Sequence, residues 1–190
     1  FINNHMFKKF NEIYHFIDEF KEADLNKLDS KISLIYRNYE KKVDVSLIKK
    51  IKNYCKKTNK KFYLANNTQL SYNLNLDGVY IPSFNKSVKH NSFKRKKNFK
   101  VLGSAHNIKE ILIKEKQNVD SIFISPIFEN QKQKKILGIY RFLILKKITK
   151  KKVIGLGGIN KLTIKKLRAM KCDGFASISL IKTLYNETRR

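Results

Sequence analysis

Eight short apolar runs, rich in β-branched and aromatic residues, recur along this 190-residue chain: Ile13 to Ile17, Ile32 to Tyr36, Phe62 to Ala65, Gly78 to Ile81, Val101 to Ser104, Ser121 to Ser125, Val153 to Leu156 and Phe175 to Ser179. Between most of them, apolar residues return at the three- and four-residue spacing of an amphipathic helix, as in Val45, Ile48, Ile51, Tyr54 and in Ile108, Ile111, Leu112. Strands that are apolar along their whole length, and separated by helices, call for a parallel sheet covered by those helices. Eight repeats close such a sheet into a (β/α)8 TIM barrel. Barrels of this kind usually need more residues, so this one must be pared down; an open doubly wound sheet is the alternative. No linker or break in composition divides the chain, which predicts one domain over residues 1–190, with 1–10 as a helical or disordered N-terminal extension.

Composition narrows the function classes. Cys55 and Cys172 are too few and too far apart for a metal-ligand pattern or a disulfide framework, and read as reduced thiols of a cytoplasmic protein. No 18-residue apolar run exists, so neither a transmembrane helix nor a membrane partner is expected. The opening residues lack the small-residue cleavage site of a signal peptide, and a chain that starts at Phe1 is either incomplete or begins in truth at Met6. A formal net charge of +27 would attract nucleic acid or anionic lipid. Yet 36 of the 42 basic residues are Lys, whereas phosphate-clamping surfaces favour the planar guanidinium fork. The other abundant residues, Asn, Ile, Phe and Tyr, share A/T-rich codons with Lys, so biased genome composition explains the excess without a specific nucleic-acid partner. A non-catalytic basic barrel that binds nucleic acid stays as an alternative. The densest basic run, Lys94 to Lys100, reads as a solvated loop.

The stretch V-I-G-L-G-G-I-N, Val153 to Asn160, bares backbone between a strand and the helical pattern Leu162, Ile164, Leu167, Met170. Glycine allows a ligand close to N–H groups, and a helix start adds unpaired donors and a positive dipole end, which together suit a phosphate. The competing reading is a tight turn whose glycines serve packing alone. In a (β/α)8 barrel the chemistry sits at the carboxyl ends of the strands, with a phosphate cradle after strands seven and eight. The candidates there are Arg37; Asn66 and Asn67; Pro82 and Ser83; Ser104 and His106; Pro126, Phe128 and Glu129; Gly157 and Gly158; Ile178 and Ser179. His106 either caps the following helix beside Asn107 or serves as an acid/base opposite the phosphate. Arg37 either pairs with Glu40 on the surface or clamps a carboxylate or phosphate. His15 points into the barrel core, His5 and His90 lie on the surface, and Asp77 and Asp173 are turn residues leading into strands four and eight.

Five motifs stand in order along the chain: D-G-V-Y-I-P-S at Asp77 to Ser83, G-S-A-H-N at Gly103 to Asn107, S-P-I-F at Ser125 to Phe128, V-I-G-L-G-G-I-N at Val153 to Asn160 and D-G-F-A-S-I-S at Asp173 to Ser179. In these the chain resembles the thiamine phosphate synthase and TenI superfamily over nearly its whole length. The resemblance implies a (β/α)8 barrel, a role in thiamine biosynthesis, and a thiazole phosphate held by backbone around Gly157, Gly158, Ile178 and Ser179. The departures are as informative. Synthases of the family carry Gln-x-Arg-x-Lys after strand two, where this chain has Ile35, Arg37 and Tyr39. Their two acidic magnesium ligands align with Asn67 and Asn85, and neutral amides are poor ligands for a hard dication. The lysine expected after S-P-I-F falls at Gln133, flanked by Lys132 and Lys134.

The TenI branch fits better. It resembles the synthases in fold but is linked to a thiazole tautomerase activity, whose acid/base histidine lies in a Ser-x-His motif matching Ser104 and His106. An imidazole titrating near pH 6.5 can take a proton from one ring atom and return it to another without a metal. The resemblance therefore implies His106 as catalyst, with Arg37, Asn66, Ser104 and Lys134 binding substrate and no cofactor or metal. Magnesium enters only if the protein is instead a divergent synthase, which joins a pyrimidine diphosphate to the thiazole phosphate and would draw ligands from Glu129 or Asp18. The expected partner is the small-molecule thiazole phosphate, with a homodimer left open.

Overall fold

The computed structural model describes residues 10–39, 43–92, 94–129, 135–178 and 180. Lys134 and Ser179, with Glu40, Lys132, Gln133 and His5, lie outside the described residues. Eight parallel strands close on themselves in sequence order: β1 (Glu12–Ile17), β2 (Ile32–Tyr36), β3 (Phe62–Ala65), β4 (Gly78–Ile81), β5 (Lys100–Ala105), β6 (Ser121–Ile124), β7 (Lys152–Leu156) and β8 (Gly174–Ser177). β8 pairs back onto β1, with Ile13 opposite Phe175 and His15 opposite Ser177, so the sheet has no edge. The barrel is a (β/α)8 barrel, and its economy lies in the connections. Among the described residues the helices bounded in full are α1 (Glu22–Leu25), α2 (Val45–Lys57), α3 (Thr68–Asn73), α4 (Ile108–Lys116), α5 (Gly138–Ile148) and α6 (Thr163–Ala169). β4 and β5 are joined by no α-helix, only by a 3-10 turn at Lys89–Ser92, because the intervening sequence lacks apolar residues at helical spacing.

Alternation along each strand divides the core in two. Inward-facing Tyr14, Phe16, Ile35, Tyr63, Tyr80, Leu102, Phe123, Ile154 and Ala176 fill the barrel. Its centre is a set of aromatic contacts: Tyr14–Phe123 at 5.0 Å, Phe16–Tyr80 at 5.2 Å, Tyr80–Phe123 at 5.4 Å and Tyr14–Tyr63 at 5.8 Å between ring centroids. Such tilted and edge-on pairs add to the burial of large rings. The outward residues, Ile13, Ile17, Leu34, Val79, Val101, Ile122 and Phe175 among them, pack under the helices. His15 shares this outward phase and does not enter the barrel interior. It is buried all the same, its Nδ1 lying 3.0 Å from the Ser177 carbonyl.

Three aspartates staple the amino ends of the strands in a repeated way. Asp77, Asp120 and Asp173 stand just before β4, β6 and β8, and their carboxylates accept from the first free N–H of the preceding strand: Phe62 (2.9 Å), Val101 (2.6 Å) and Val153 (2.8 Å). Asp77 and Asp173 thus act at turns, as their D-G setting implies. The run Lys94 to Lys100 is less solvated than its charge suggests. Arg95 pairs with Asp120 at 3.0 Å, and Lys100 reaches Glu12 across the bottom of the barrel. Both cysteines are free and buried, and burial pushes their thiols up to about 12. Among the described residues no helix is long and apolar enough to cross a membrane.

Glu12 closes the amino-terminal end. Its carboxylate, only 9% exposed, accepts from Lys100 (3.1 Å), Lys152 (2.9 Å) and the Tyr14 hydroxyl (2.8 Å). Burial alone would raise its pKa, but the bonds from Lys152 and Tyr14 and the charge of Lys100 outweigh it and bring the value down to about 2 from 4.5. A carboxylate depressed in the folded state contributes stability that is present above its unfolded pKa and lost as pH falls toward the folded one. We therefore expect denaturant midpoints to decline between pH 4.5 and about 2, by on the order of 3 kcal/mol from this group. Glu12→Gln, measured by urea titration across that range, should be less stable at neutral pH and should lack this part of the acid dependence.

Candidate active site

The carboxyl ends of the strands carry the sequence-predicted residues to one mouth. On β5 the inward phase of Leu102 continues through Ser104, which is buried next to the Tyr80 phenol. Burial raises the Tyr80 pKa, with the Ser104 hydroxyl working against it, so the phenol stays protonated. One step beyond the strand, His106 is exposed, and its Nδ1 lies 2.6 Å from the Ser125 carbonyl, with the Ser125 hydroxyl at 3.3 Å. A carbonyl only accepts, so Nδ1 carries the proton and Nε2 keeps its lone pair free. His106 does not cap α4. That role falls to Asn107, whose Oδ1 accepts from Glu110 N at 3.0 Å, while Glu110 accepts in return from the His106 backbone N–H at 2.7 Å. The cap pins the backbone and leaves the imidazole available.

Arg37 continues the inward phase of Ile35, and its guanidinium lies 4.9 Å above the Phe16 ring. This cation–π contact holds the guanidinium over the ring at the mouth. Beside it Asn66 adopts a left-handed φ of 59° and accepts from Asn85 Nδ2 at 2.7 Å. Above these the Tyr39 and Phe84 rings meet edge-on at 5.4 Å, with Phe84 62% exposed, and form an aromatic rim between the loops after β2 and β4. Sequence reasoning missed this rim, since only Tyr39, standing where the family has Lys, marked it.

The glycines after β7 are required twice over. Gly157 and Gly158 have φ of 91° and 65°, and a Cβ at Gly157 would lie 2.7 Å from Pro126 Cα. At Gly158 it would collide with the Phe128 carbonyl. The packing reading of these glycines is therefore real, yet it leaves donors over. The carbonyls here are used, Gly158 O by the Thr163 hydroxyl at 2.9 Å and Ile159 O by Ser177 Oγ at 3.4 Å. Among the described residues none accepts from the N–H groups of Gly157, Gly158 or Ile178. The helix start does not join them, contrary to the expectation from sequence. Asn160 Oδ1 takes the N–H groups of Leu162 (2.9 Å) and Thr163 (3.0 Å), and Asn160 O takes that of Ile164. An anion at this end would rest on the loop amides alone.

The two amides that align with the family's magnesium ligands are engaged within the protein. Asn67 Oδ1 is spent capping α3 through Leu70 N at 3.0 Å, and Asn85 Oδ1 accepts from Ser87 N at 2.9 Å. Among the described residues no three His, Cys, Asp or Glu side chains converge to hold a metal.

A closed parallel (β/α)8 barrel that gathers a guanidinium, an imidazole and a glycine turn at its carboxyl mouth is the architecture found here. The profile of the thiamine monophosphate synthase (TMP-TENI) family matches residues 19–181, and the chain belongs to that family, whose business is thiamine biosynthesis. It is 24% identical over 184 residues to a thiamine-phosphate synthase of Lactococcus lactis subsp. cremoris (strain MG1363), covering 88% of this chain and 84% of that one. In fold it is similar to a thiamine phosphate pyrophosphorylase from Pyrococcus furiosus (TM-score 0.72, 17% identity, 94% of each chain). It is also similar to one from Bacteroides thetaiotaomicron (TM-score 0.59, 19% identity, 88% of this chain and 82% of that one). A 3-hexulose-6-phosphate synthase from Salmonella typhimurium shares the barrel at TM-score 0.65 and 15% identity, over 94% of this chain and 95% of that one.

Gly158→Ala should strain the backbone and push the loop after β6 away, at a cost of at least about 2 kcal/mol. Thermal melting with and without inorganic phosphate checks it: the variant is expected to melt lower and to lose whatever stabilisation phosphate confers on the wild type.

Proposed function

We propose that this protein is a TenI-like thiazole tautomerase that binds a thiazole carboxylate phosphate and moves a ring proton with His106. The observation that carries the reading is the Nδ1 contact of His106 with the Ser125 carbonyl at 2.6 Å, which selects the tautomer whose Nε2 is a base at the mouth. The amides of Gly157, Gly158 and Ile178, without an acceptor among the described residues, suit the phosphate, and Ser179 follows Ile178 in sequence. Arg37, held over Phe16, suits the carboxylate, which a guanidinium can meet with two parallel bonds. Ser104 and Asn66 stand at the same mouth, and Lys134, outside the described residues, completes the proposed substrate-binding set. In the reaction Nε2 takes a proton from one ring carbon. The imidazolium, held by its Nδ1–H bond, then returns the proton to another atom of the same ring, which becomes aromatic. No metal or cofactor has a step to perform.

Purified protein supplied with the thiazole carboxylate phosphate should isomerise it in the presence of a chelator. His106→Ala and His106→Gln should lower kcat by about two to four orders of magnitude with little change in KM. Turnover by either variant at the wild-type rate would remove His106 from the chemistry, and an inert wild type would remove the activity.

A second reading is favoured by the name of the Lactococcus relative: a divergent thiamine phosphate synthase. It needs magnesium ligands from elsewhere, Asp18 after β1 or Glu129 after β6. Thiamine phosphate formed from a pyrimidine diphosphate and the thiazole phosphate at millimolar magnesium would establish it in place of the tautomerase.

A further inference from the structure

One buried cation has no part in the chemistry so far described. Lys114 of α4 is fully buried, and its ammonium donates to Pro82 O (2.8 Å), Asn85 O (3.0 Å) and Gln117 Oε1 (2.8 Å). Gln117, equally buried, turns its own amide to Asn85 O (2.9 Å) and Ser87 O (2.9 Å). Four bonds from two side chains thus converge on three carbonyls of a single loop, the one after β4. Space for the lysine stem is made by β5, where a Cβ on Gly103 would lie 2.8 Å from Lys114 Cδ. Every acceptor around the ammonium is neutral. Burial draws its pKa down to about 8, with the Glu110 carboxylate on the same helix opposing and His90, whose Nε2 lies 2.8 Å from Gln117 O, as the neighbouring titratable group on the loop side.

A charge held this way is costly, and an apolar side chain of the same length would fill the space more cheaply. What the ammonium adds is direction, three donors aimed at fixed points. The loop it holds presents Phe84 to Tyr39 and Asn85 to Asn66, so its height over the mouth sets how the aromatic rim and the amide bridge stand above Arg37. α4 also begins at the cap that pins the His106 backbone, so one helix ties the base to the opposite rim.

We propose that Lys114 and Gln117 are positioning residues that clamp the loop after β4, and that the Phe84–Tyr39 rim they hold in place determines the fit of the substrate ring. The second half of this rests on the reading that the mouth binds a thiazole phosphate. Hydrogen exchange at amides 84–87, together with kinetics on the thiazole carboxylate phosphate, tests it in the full chain. In Lys114→Met those amides should exchange at least about tenfold faster while strand amides keep their rates, since a lost charged bond releases the loop but not the barrel. KM should rise about tenfold with kcat within about threefold of wild type, because the loop shapes binding and not the base. Phe84→Ala, which leaves α4 untouched, should raise KM alike without altering exchange in the strands.

Wild-type exchange at 84–87 in Lys114→Met overturns the clamp. An unchanged KM in both variants, even with a lowered melting temperature, overturns the role in substrate fit and leaves Lys114 merely structural. If Lys114→Met fails to fold, Gln117→Leu removes the bonds to Asn85 and Ser87 while keeping the ammonium, and carries the same measurements. A wild type that neither binds nor turns over the thiazole carboxylate phosphate defeats the proposed function and the substrate half of this inference together, whereas the exchange result still decides the clamp.

Discussion

The pairing of β8 with β1 is the constraint on which everything else here depends. Closure leaves no free edge and forces each strand to send alternate residues inward, so the parity of a residue decides whether it meets the aromatic centre or the helices. Tyr14, Phe16, Tyr63, Tyr80 and Phe123 fill the space with few side chains. The same parity, carried past the strand ends, brings Arg37, Ser104 and His106 to the mouth. A slip of one residue in β5 would exchange Ser104 for Ala105 and turn His106 toward the helices.

The scarce carboxylates are spent on the frame. Against 42 basic residues the chain has 15 acidic ones. Asp77, Asp120 and Asp173 bind strand N–H groups, Glu12 gathers two lysines beneath the barrel, and Glu110 and Asp44 serve helix starts. At the mouth the positions that align with the family's magnesium ligands are Asn67 and Asn85, whose oxygens are occupied by backbone N–H groups.

Much of this was legible from local pattern. The eight strands fall within a residue or two of the apolar runs, because a strand buried on both faces must be apolar throughout, and a helix that covers it must repeat its apolar face every three or four residues. The glycine turn stood out because its chemistry is visible in residue type, whereas Ser104 and His106 drew notice through their strand-end position and the family resemblance. Other features were not legible. Asn160 looks like any loop asparagine, and only the traced backbone reveals that it takes the first amides of α6. His15 and Tyr14 are neighbours in an apolar run, and which of them faces inward depends on the register with β8.

Lys114 marks the limit most sharply. By composition it is one of 36 lysines, and nothing in its neighbours separates it from the solvated ones, yet it is buried against three neutral oxygens. The sequence by itself determined the strand and helix order, the family and the residue types at the strand ends, since these follow from periodicity and motif. Only the tertiary structure decided which lysines are buried, which histidine nitrogen faces a carbonyl and which loop amides find no acceptor among the described residues, because each depends on atoms brought together from distant parts of the chain by closure of the barrel.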